Sequence, residues 1–340
     1  MNTKRCDVAV IGGGAAGLSA AVALLRSRRT VIVLDDGRPR NAPAAGVHNF
    51  LSRDGTPPAE LLAVGRSEVE GYGGRIVRAE ATAARRDGDG FAVALGDGDV
   101  VRARRLVVTT GLVDELPDVP GVRELWGSDV IHCPYCHGWE HADEEIGVLG
   151  SGPMAVHQAL LFRQLSGDVT LFLHTAPPLT TEESSQLAAL GVRVIDGPVE
   201  RLELSGGRLR GVRIQGGVLV PRTVVVVGPR MVARSGVLAG LGLSAVPHAM
   251  GAAFGEHIES DPTGRTSVPG VWVAGNVTDL QAQVITAAGQ GLMAGAAVNA
   301  DLVMEDARRA VEAARGGGAV EAARGGGAVV GAGRAGKDER

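Results

Sequence analysis

The chain has 340 residues, of which 45% are apolar, 51 are glycine and only 3% are aromatic. This length and composition predict a globular α/β protein with two domains and many tight turns. A net charge of −4, few aromatic side chains and no apolar run near the roughly 20 residues of a membrane helix argue against nucleic acid and membranes as partners.

The first predicted strand, 8–11, leads into a glycine turn and a helix rich in Ala and Leu. The turn has the G-x-G-x-x-G spacing, which lets the backbone approach a pyrophosphate at a helix N-terminus. The next apolar run, TVIVLDD, ends at Asp35, which is placed to accept a hydrogen bond from a ribose hydroxyl, although Asp36 competes for that role. The predicted dinucleotide site comprises Asp35 and the turn residues Gly12, Gly13, Gly14, Ala15, Ala16 and Gly17. A glycine turn that serves packing alone is the alternative.

The residues before this strand, MNTKRC, contain no small-residue cleavage site of a secretory signal. We therefore expect a cytoplasmic protein, in which structural disulfides are rare.

The strand–turn–helix pattern then repeats. Two short strands, FAVAL and RRLVVTTG, and a Pro-rich bend precede a second unit, EIGVLGSGPMAVHQALLF, with the variant spacing G-x-G-x-x-A. Its next strand, DVTLFLH, ends at His174 with neither an acid for a ribose nor an Arg for a 2′-phosphate beside it. This turn is either a structural relic or a nicotinamide nucleotide site.

A third strand–turn–helix signature, GVWVAGNVTDLQAQVITAAGQG, returns the chain to the first domain. The predicted fold class is therefore α/β, with two Rossmann-like dinucleotide-binding domains, the second inserted into the first. We place the first domain at 1–115 and 245–305 and the second at 116–244. Residues 306–340 contain a nine-residue unit repeated in tandem and are predicted to form a disordered or loosely helical tail.

Two cysteines, Cys133 and Cys136, stand in the segment IHCPYCHGWE. Three chemistries fit a CxxC pair. Haem attachment normally follows export, and the sequence shows no export signal. A zinc site needs about four ligands, and the two cysteines with one histidine supply at most three. Redox cycling requires only the two thiols, whose pKa is lowered by positive charge, and His132 and His137 flank them. We predict a redox pair and no metal. Cys6 is interpreted as a buried small residue.

The order of these motifs resembles the low-molecular-weight thioredoxin reductase family of flavoproteins. The resemblance spans roughly 7–302 and rests on the first glycine turn, on TTGLVDELPDVPGVRELWGSDVIHCPYCHGWE and on GVWVAGNVTDLQAQVITAAGQG. It implies FAD as the first nucleotide, a CxxC-bearing second domain and a homodimer.

The resemblance also implies roles for single residues. Asn276 takes the place of an aspartate near the flavin ribityl chain, and Gln283 and Val284 match the helix start that faces the isoalloxazine. His48 and Asn49, in GVHNFLS, match a loop that approaches FAD. Cys136 aligns with the cysteine next to the flavin and Cys133 with the one that exchanges with substrate.

The departures from that family concern nicotinamide and thioredoxin. His137 replaces an acid after the second cysteine, Thr175 and Ala176 replace an Arg pair after His174, and Ala282 replaces an Arg. In this profile the chain resembles the FAD-dependent dithiol oxidases of disulfide natural products such as gliotoxin and holomycin, which act in antibiotic biosynthesis and self-resistance.

That resemblance implies a reaction. A small-molecule dithiol attacks the disulfide at Cys133, its second sulfur closes the product disulfide, and two electrons pass through Cys136 and FAD to O₂, giving H₂O₂. A base of pKa near 6.5 beside each sulfur, His132 and His137, suits the loss of two thiol protons. An NAD(P)H-dependent thioredoxin reductase-like disulfide reductase and a flavin redox sensor without turnover are the alternatives.

Overall fold

The computed structural model describes residues 3–324, and the side chains of that range as far as residue 315. Its helices are α1 (Ala15–Arg26), α2 (Pro58–Gly71), α3 (Pro134–His137), α4 (Ala155–Phe162), α5 (Thr181–Ala189) and α6 (Val284–Arg324). Its strands are β1 (Thr3–Ile11), β2 (Val31–Asp35), β3 (Arg75–Arg78), β4 (Ala81–Asp87), β5 (Gly90–Leu95), β6 (Val100–Val108), β7 (Leu112–Glu115), β8 (Val130–Ile131), β9 (Ile146–Leu149), β10 (Val169–Phe172), β11 (Arg193–Ile195), β12 (Val199–Ser205), β13 (Arg208–Ile214), β14 (Leu219–Pro221), β15 (Val224–Val227), β16 (Arg230–Ala233), β17 (Val246–Pro247), β18 (Gly255–His257) and β19 (Val271–Val273). Short 3₁₀ helices cover Trp139–His141, Gly236–Leu241 and Gly275–Val277.

The first sheet has a parallel part in the order β3-β2-β1-β6, and β19 also pairs in parallel with β6. β4 and β5 extend from β6 as an antiparallel meander. Because β1 is buried and central, the glycine turn that follows it lies at the carboxyl edge of the sheet, the edge at which α/β proteins bind ligands.

The second sheet is parallel throughout, in the order β11-β10-β9-β15-β8. Its strands are continuous apolar runs such as β15, as expected for a sheet covered on both faces. A three-stranded sheet, β12-β13-β14, packs beside it, and β7 pairs with β16 where the chain leaves and re-enters the first unit.

These pairings confirm the predicted fold class, including the insertion of the second unit into the first. The exact boundaries remain predictions. Val237, Leu238 and Leu243 pack in the core beneath the first sheet, together with Ile11 and Leu34.

The last helix, α6, continues past residue 306, where the predicted tail begins, and ends at Arg324. The remainder of the predicted tail, 325–340, lies outside the described residues. No helix within 3–324 combines the length and apolar character needed to cross a membrane.

Helix α6 lies so close to α1 that glycine is required at their contact. A Cβ on the buried Gly291 would overlap the carbonyl oxygen of Ala16, and one on Gly295 would lie 2.8 Å from the carbonyl oxygen of Ala20. This contact joins the first motif of the chain to the last, and so seats the start of α6 beside the first glycine turn.

We predict that Gly291→Ala lowers the free energy of unfolding by about 2–4 kcal/mol, because the helices must separate to admit the methyl group. The matched control is Gly71→Ala, an exposed glycine at the end of α2 whose Cβ position meets no neighbouring element within 4 Å. That change should be neutral or stabilising by up to about 1 kcal/mol through helix propensity. Denaturant unfolding of both variants measures the difference, and equal stability would contradict the packing argument.

Candidate active site

One cavity of about 1110 Å³ brings together most of the predicted site residues. It is lined by Gly12, Gly13, Gly14, Ala15, Ala16, Asp35, His48, Asn276, Gln283, Val284, Cys136, His132 and His137. Three predicted residues are not among its lining residues, namely Gly17, Asn49 and Cys133. The cavity slightly exceeds the roughly 300–1,000 Å³ of ordinary small-molecule sites, so it has room for an extended ligand.

The first glycine turn has the conformation that a phosphate-binding turn needs. Gly12 has a φ of +111°, and a Cβ there would overlap the carbonyl oxygen of Thr109. Gly14 caps α1 without a side chain, which leaves the first helical N–H groups available to a phosphate. Gly17 is buried, and a Cβ there would overlap the Gly12 carbonyl oxygen, so its role is to hold α1 against the turn.

The two acids at the end of β2 have different partners. Asp35 Oδ1 accepts a hydrogen bond from the Gly13 backbone N–H at 3.2 Å, beside the turn. Asp36 is held by Arg38, whose Nε and backbone N–H donate at 2.9 and 3.0 Å. The geometry therefore favours Asp35 over Asp36 as the ribose ligand.

The opposite wall contains the turn before α6. The Asn276 amide donates to the carbonyl oxygens of Asp279, at 3.0 Å, and Ala282, at 2.9 Å. These bonds hold the turn that leads to Gln283 and Val284 at the N-terminus of α6. An ionised aspartate has no N–H to donate, so these two hydrogen bonds give a structural reason for asparagine at position 276.

Cys133 and Cys136 form a disulfide with a Cα–Cα separation of 5.3 Å, within the ordinary range. Cys133 is the N-cap of α3, and Cys136 lies within that single turn. Only the Cys136 side of the pair lines the cavity. Within the described chain, no group of three or more His, Cys, Asp or Glu side chains is arranged to hold a metal ion.

The flanking histidines are less basic than the sequence suggests. Burial, reinforced by the nearby Arg40 cation, lowers the pKa of His132 to about 4, and its ring packs against Trp126 at a centroid distance of 5.4 Å. Burial also lowers the pKa of His137, and both its ring nitrogens are buried without a hydrogen-bond partner among the described residues. The expected pKa near 6.5 is therefore wrong for His132. Both imidazoles are neutral near pH 7 and supply no permanent positive charge.

The loop that carries His48 and Asn49 contacts the cysteine segment. His48 lines the cavity, and its Nε2 lies 3.2 Å from Glu140 Oε1. The Asn49 side-chain amide donates to the Tyr135 carbonyl oxygen at 2.5 Å, away from the cavity lining. Asn49, which the resemblance assigns to flavin binding, therefore bonds to the disulfide helix.

The residues at the end of strand β10 in the second unit are hydrogen-bonded to other parts of that unit. His174 Nδ1 accepts the Val199 backbone N–H at 3.0 Å, and burial lowers the pKa of this histidine. The backbone N–H groups of Thr175 and Ala176 both donate to the Gly150 carbonyl oxygen, at 3.0 and 2.9 Å. The residues after this strand therefore contact the glycine turn directly and present no cation for a 2′-phosphate.

Sequence reasoning missed an ion pair in the cavity wall. Arg40 donates two hydrogen bonds to the carboxylate of Asp114, both at 2.7 Å, and the Asp114 side chain is only 7% exposed. Both residues line the cavity. They are separated by 74 positions, and no local motif links a loop arginine to the end of a distant strand. Cys6, predicted to be buried, is only partly buried, and desolvation raises the pKa of its thiol to about 12.

Comparisons with known proteins agree with this geometry. The family model described as pyridine nucleotide-disulphide oxidoreductase matches residues 6–291. The chain belongs to this family. Thioredoxin reductase tcpT of Claviceps purpurea is 33% identical over 88% of this chain and 95% of its own length. Thioredoxin reductase sirT of Leptosphaeria maculans is 30% identical over 86% of this chain and 93% of its own. The solved structure of HlmI is 50% identical, with a TM-score of 0.85 over 91% of this chain and 96% of that one.

These matches confirm the resemblance to thioredoxin reductase-like flavoproteins and the two-unit fold. A member of this family is a flavin-dependent thiol/disulfide oxidoreductase, and the cavity joins the parts such an enzyme needs. The roles of individual site residues remain predictions, because the matches extend over whole chains and identify no single residue.

The depressed pKa of His132 predicts a pH dependence of stability. The unfolded chain binds this proton near pH 6.5, but the folded protein binds it only near pH 4. The free energy of unfolding should therefore fall by about 2–3 kcal/mol as the pH drops from 6.5 to 4. His132→Gln should remove most of this fall, as measured by denaturant unfolding at a series of pH values. An identical pH dependence in the variant would refute the assignment.

Proposed function

We propose that this protein is an FAD-dependent dithiol oxidase, which converts a small-molecule dithiol into its intramolecular disulfide and reduces O₂ to H₂O₂. The observation that carries the proposal is the single cavity that contains both Cys136 and the first glycine turn. A disulfide whose Cys136 lines the same cavity as a dinucleotide-binding turn is in position to exchange electrons with a flavin bound there.

The residues present fit FAD. The open N-terminus of α1 suits the pyrophosphate, Asp35 suits the adenosine ribose, and Asn276, Gln283 and Val284 line the same cavity as Cys136. Bound FAD would supply the two-electron acceptor that reoxidises the cysteine pair and transfers the electrons to O₂.

The cysteines and histidines perform the thiol chemistry. A substrate thiolate attacks Sγ of Cys133, and Cys136 leaves as a thiolate. The second substrate sulfur then attacks the mixed disulfide, which releases the product disulfide and the Cys133 thiolate. Two thiol protons must be accepted. His132 and His137 are neutral and adjacent to the pair, and the unpartnered nitrogens of His137 make it the better acceptor.

A second candidate is an NAD(P)H-dependent disulfide reductase. The similarity to tcpT and sirT, which are named thioredoxin reductases, favours it. The end of β10, where His174 bonds to Val199, favours the oxidase. The residues that follow this strand offer a nicotinamide nucleotide neither a carboxylate nor a cation. A flavin redox sensor without turnover is the third possibility.

We place the activity in the cytoplasm and in the biosynthesis of, or self-resistance to, a disulfide-containing antibiotic. We also propose a homodimer. Large apolar side chains are about half exposed along one face of α6, at Ile285, Leu292, Met293, Val303 and Met304, as is usual where a second subunit packs.

The oxidase proposal is tested with oxygen consumption. Purified protein given a panel of small dithiols should consume O₂ and form H₂O₂, and Cys136→Ser and Cys133→Ser should each lose more than about 99% of this activity, since neither sulfur can be replaced in the exchange. NADPH alone should leave the flavin oxidised. Rapid bleaching of the flavin by NADPH would instead establish the reductase, and a protein without turnover on any dithiol would leave the sensor.

The nucleotide assignment is tested by the two adjacent acids. Asp35→Ala should weaken FAD binding about tenfold or more, because the ribose loses a charge-assisted hydrogen bond. Asp36→Ala is the matched control and should retain FAD, since that carboxylate is held by Arg38. Titration of the apoprotein with FAD measures both, and equal affinity of the two variants would contradict the role of Asp35.

A further inference from the structure

We infer that the loop 40–54 of the first domain is a latch that sets the orientation of the disulfide helix α3, so that Cys136 and not Cys133 faces the cavity. The inference deepens the proposed function and rests on it for the direction of electron flow. It assigns positioning roles to Asn49, His48 and Glu140, none of which takes part in the sulfur chemistry.

Helix α3 cannot fix its own orientation. It is a single turn of four residues without a side-chain cap, and a helix this short is not stable alone. The chain is anchored before it by β8 and after it by Gly138, which packs so tightly on Leu165 that a Cβ would overlap that side chain. Between these anchors, the turn needs a contact from another part of the molecule.

Asn49 provides that contact. Its amide donates to the carbonyl oxygen of Tyr135, which belongs to the peptide group that leads into Cys136. Among the described residues, this is the hydrogen bond that reaches α3 from outside the cysteine segment. It therefore fixes the peptide plane immediately before the sulfur that lines the cavity.

Contacts within the loop hold Asn49 in position. The Asp54 carboxylate accepts the Asn49 backbone N–H at 2.9 Å and lies 3.4 Å from His48 Nδ1. Asn49 has a φ of +58°, a left-handed conformation that asparagine tolerates better than most residues.

Two further contacts of this loop cross to the second domain. His48 Nε2 approaches Glu140, just beyond the second cysteine, at 3.2 Å. Pro43 lies 2.5 Å from the Cβ position of Gly127, which leaves no room for a side chain there. The loop thus contacts the second domain on both sides of the disulfide.

The decisive variant is Asn49→Asp, which keeps the size of the side chain but cannot donate to the Tyr135 carbonyl. Gln215→Glu is the matched control, an amide-to-acid change on an exposed side chain far from the site. In anaerobic stopped-flow experiments with dithiothreitol as the dithiol, Asn49→Asp should reduce its bound flavin about tenfold more slowly than wild type. The control should match wild type, and so should reduction of the flavin in either variant by dithionite, which bypasses the disulfide.

A second readout does not require electron transfer to the flavin. In reduced wild-type protein, iodoacetamide should alkylate Cys133 faster than Cys136, and Asn49→Asp should lose this preference. If Asn49→Asp does not retain flavin, Glu140→Ala tests the second contact by both measurements, with the same expected changes. Wild-type rates and wild-type alkylation preference in the variant tested would overturn the latch. Absence of oxygen consumption by the wild type would refute the oxidase and leave the alkylation test of the latch intact.

Discussion

Thiol–disulfide exchange coupled to a flavin requires that one sulfur lie against the flavin site while the other remains open to substrate. Under the proposed function, this constraint involves both domains. The glycine turn and Asp35 belong to the first sheet, whereas the cysteines lie on a one-turn helix that follows the edge strand β8 of the second. The cavity exists because loops of the first domain, braced by Asn49 and Arg40, meet the segment before and around that helix.

The second unit keeps the framework of a nucleotide-binding fold, while the residues at the end of β10 bond within the protein. Its parallel sheet and its G-x-G-x-x-A turn are intact, because they depend on buried apolar strands and on close backbone packing. The ligand-binding positions at the end of β10 have become internal, with His174 bonded to Val199 and two backbone N–H groups bonded to Gly150.

Local patterns predicted the parts of the structure that are local. Strands β1, β2, β9, β10 and β19 and their turns follow from apolar runs and turn chemistry within about 30 residues, and the repeated motif predicts that β19 returns to the first domain, where it pairs with β6. Most of the site residues predicted from the sequence do line the cavity. Contacts that depend on tertiary placement could not be predicted from the sequence. These are the Arg40–Asp114 pair, the Asn49–Tyr135 bond and the burial that lowers the pKa of His132. The histidine error has the same origin, since a side chain's pKa depends on surroundings that its neighbours in sequence do not reveal.

The neutrality of the histidines changes the account of how the thiols are activated. A permanently cationic imidazole at a buried position costs free energy that the folded protein would carry throughout its cycle. A neutral imidazole carries no such cost until a substrate thiol arrives, and the proton it then accepts leaves a thiolate beside it, so that the two charges form together as a pair. His137, with both nitrogens buried and unpartnered, has an acceptor ready for that proton, whereas the lower pKa of His132, beside the Arg40 cation, makes it the weaker base. Under the proposed function, proton transfer and charge stabilisation at this disulfide are therefore coupled to substrate binding.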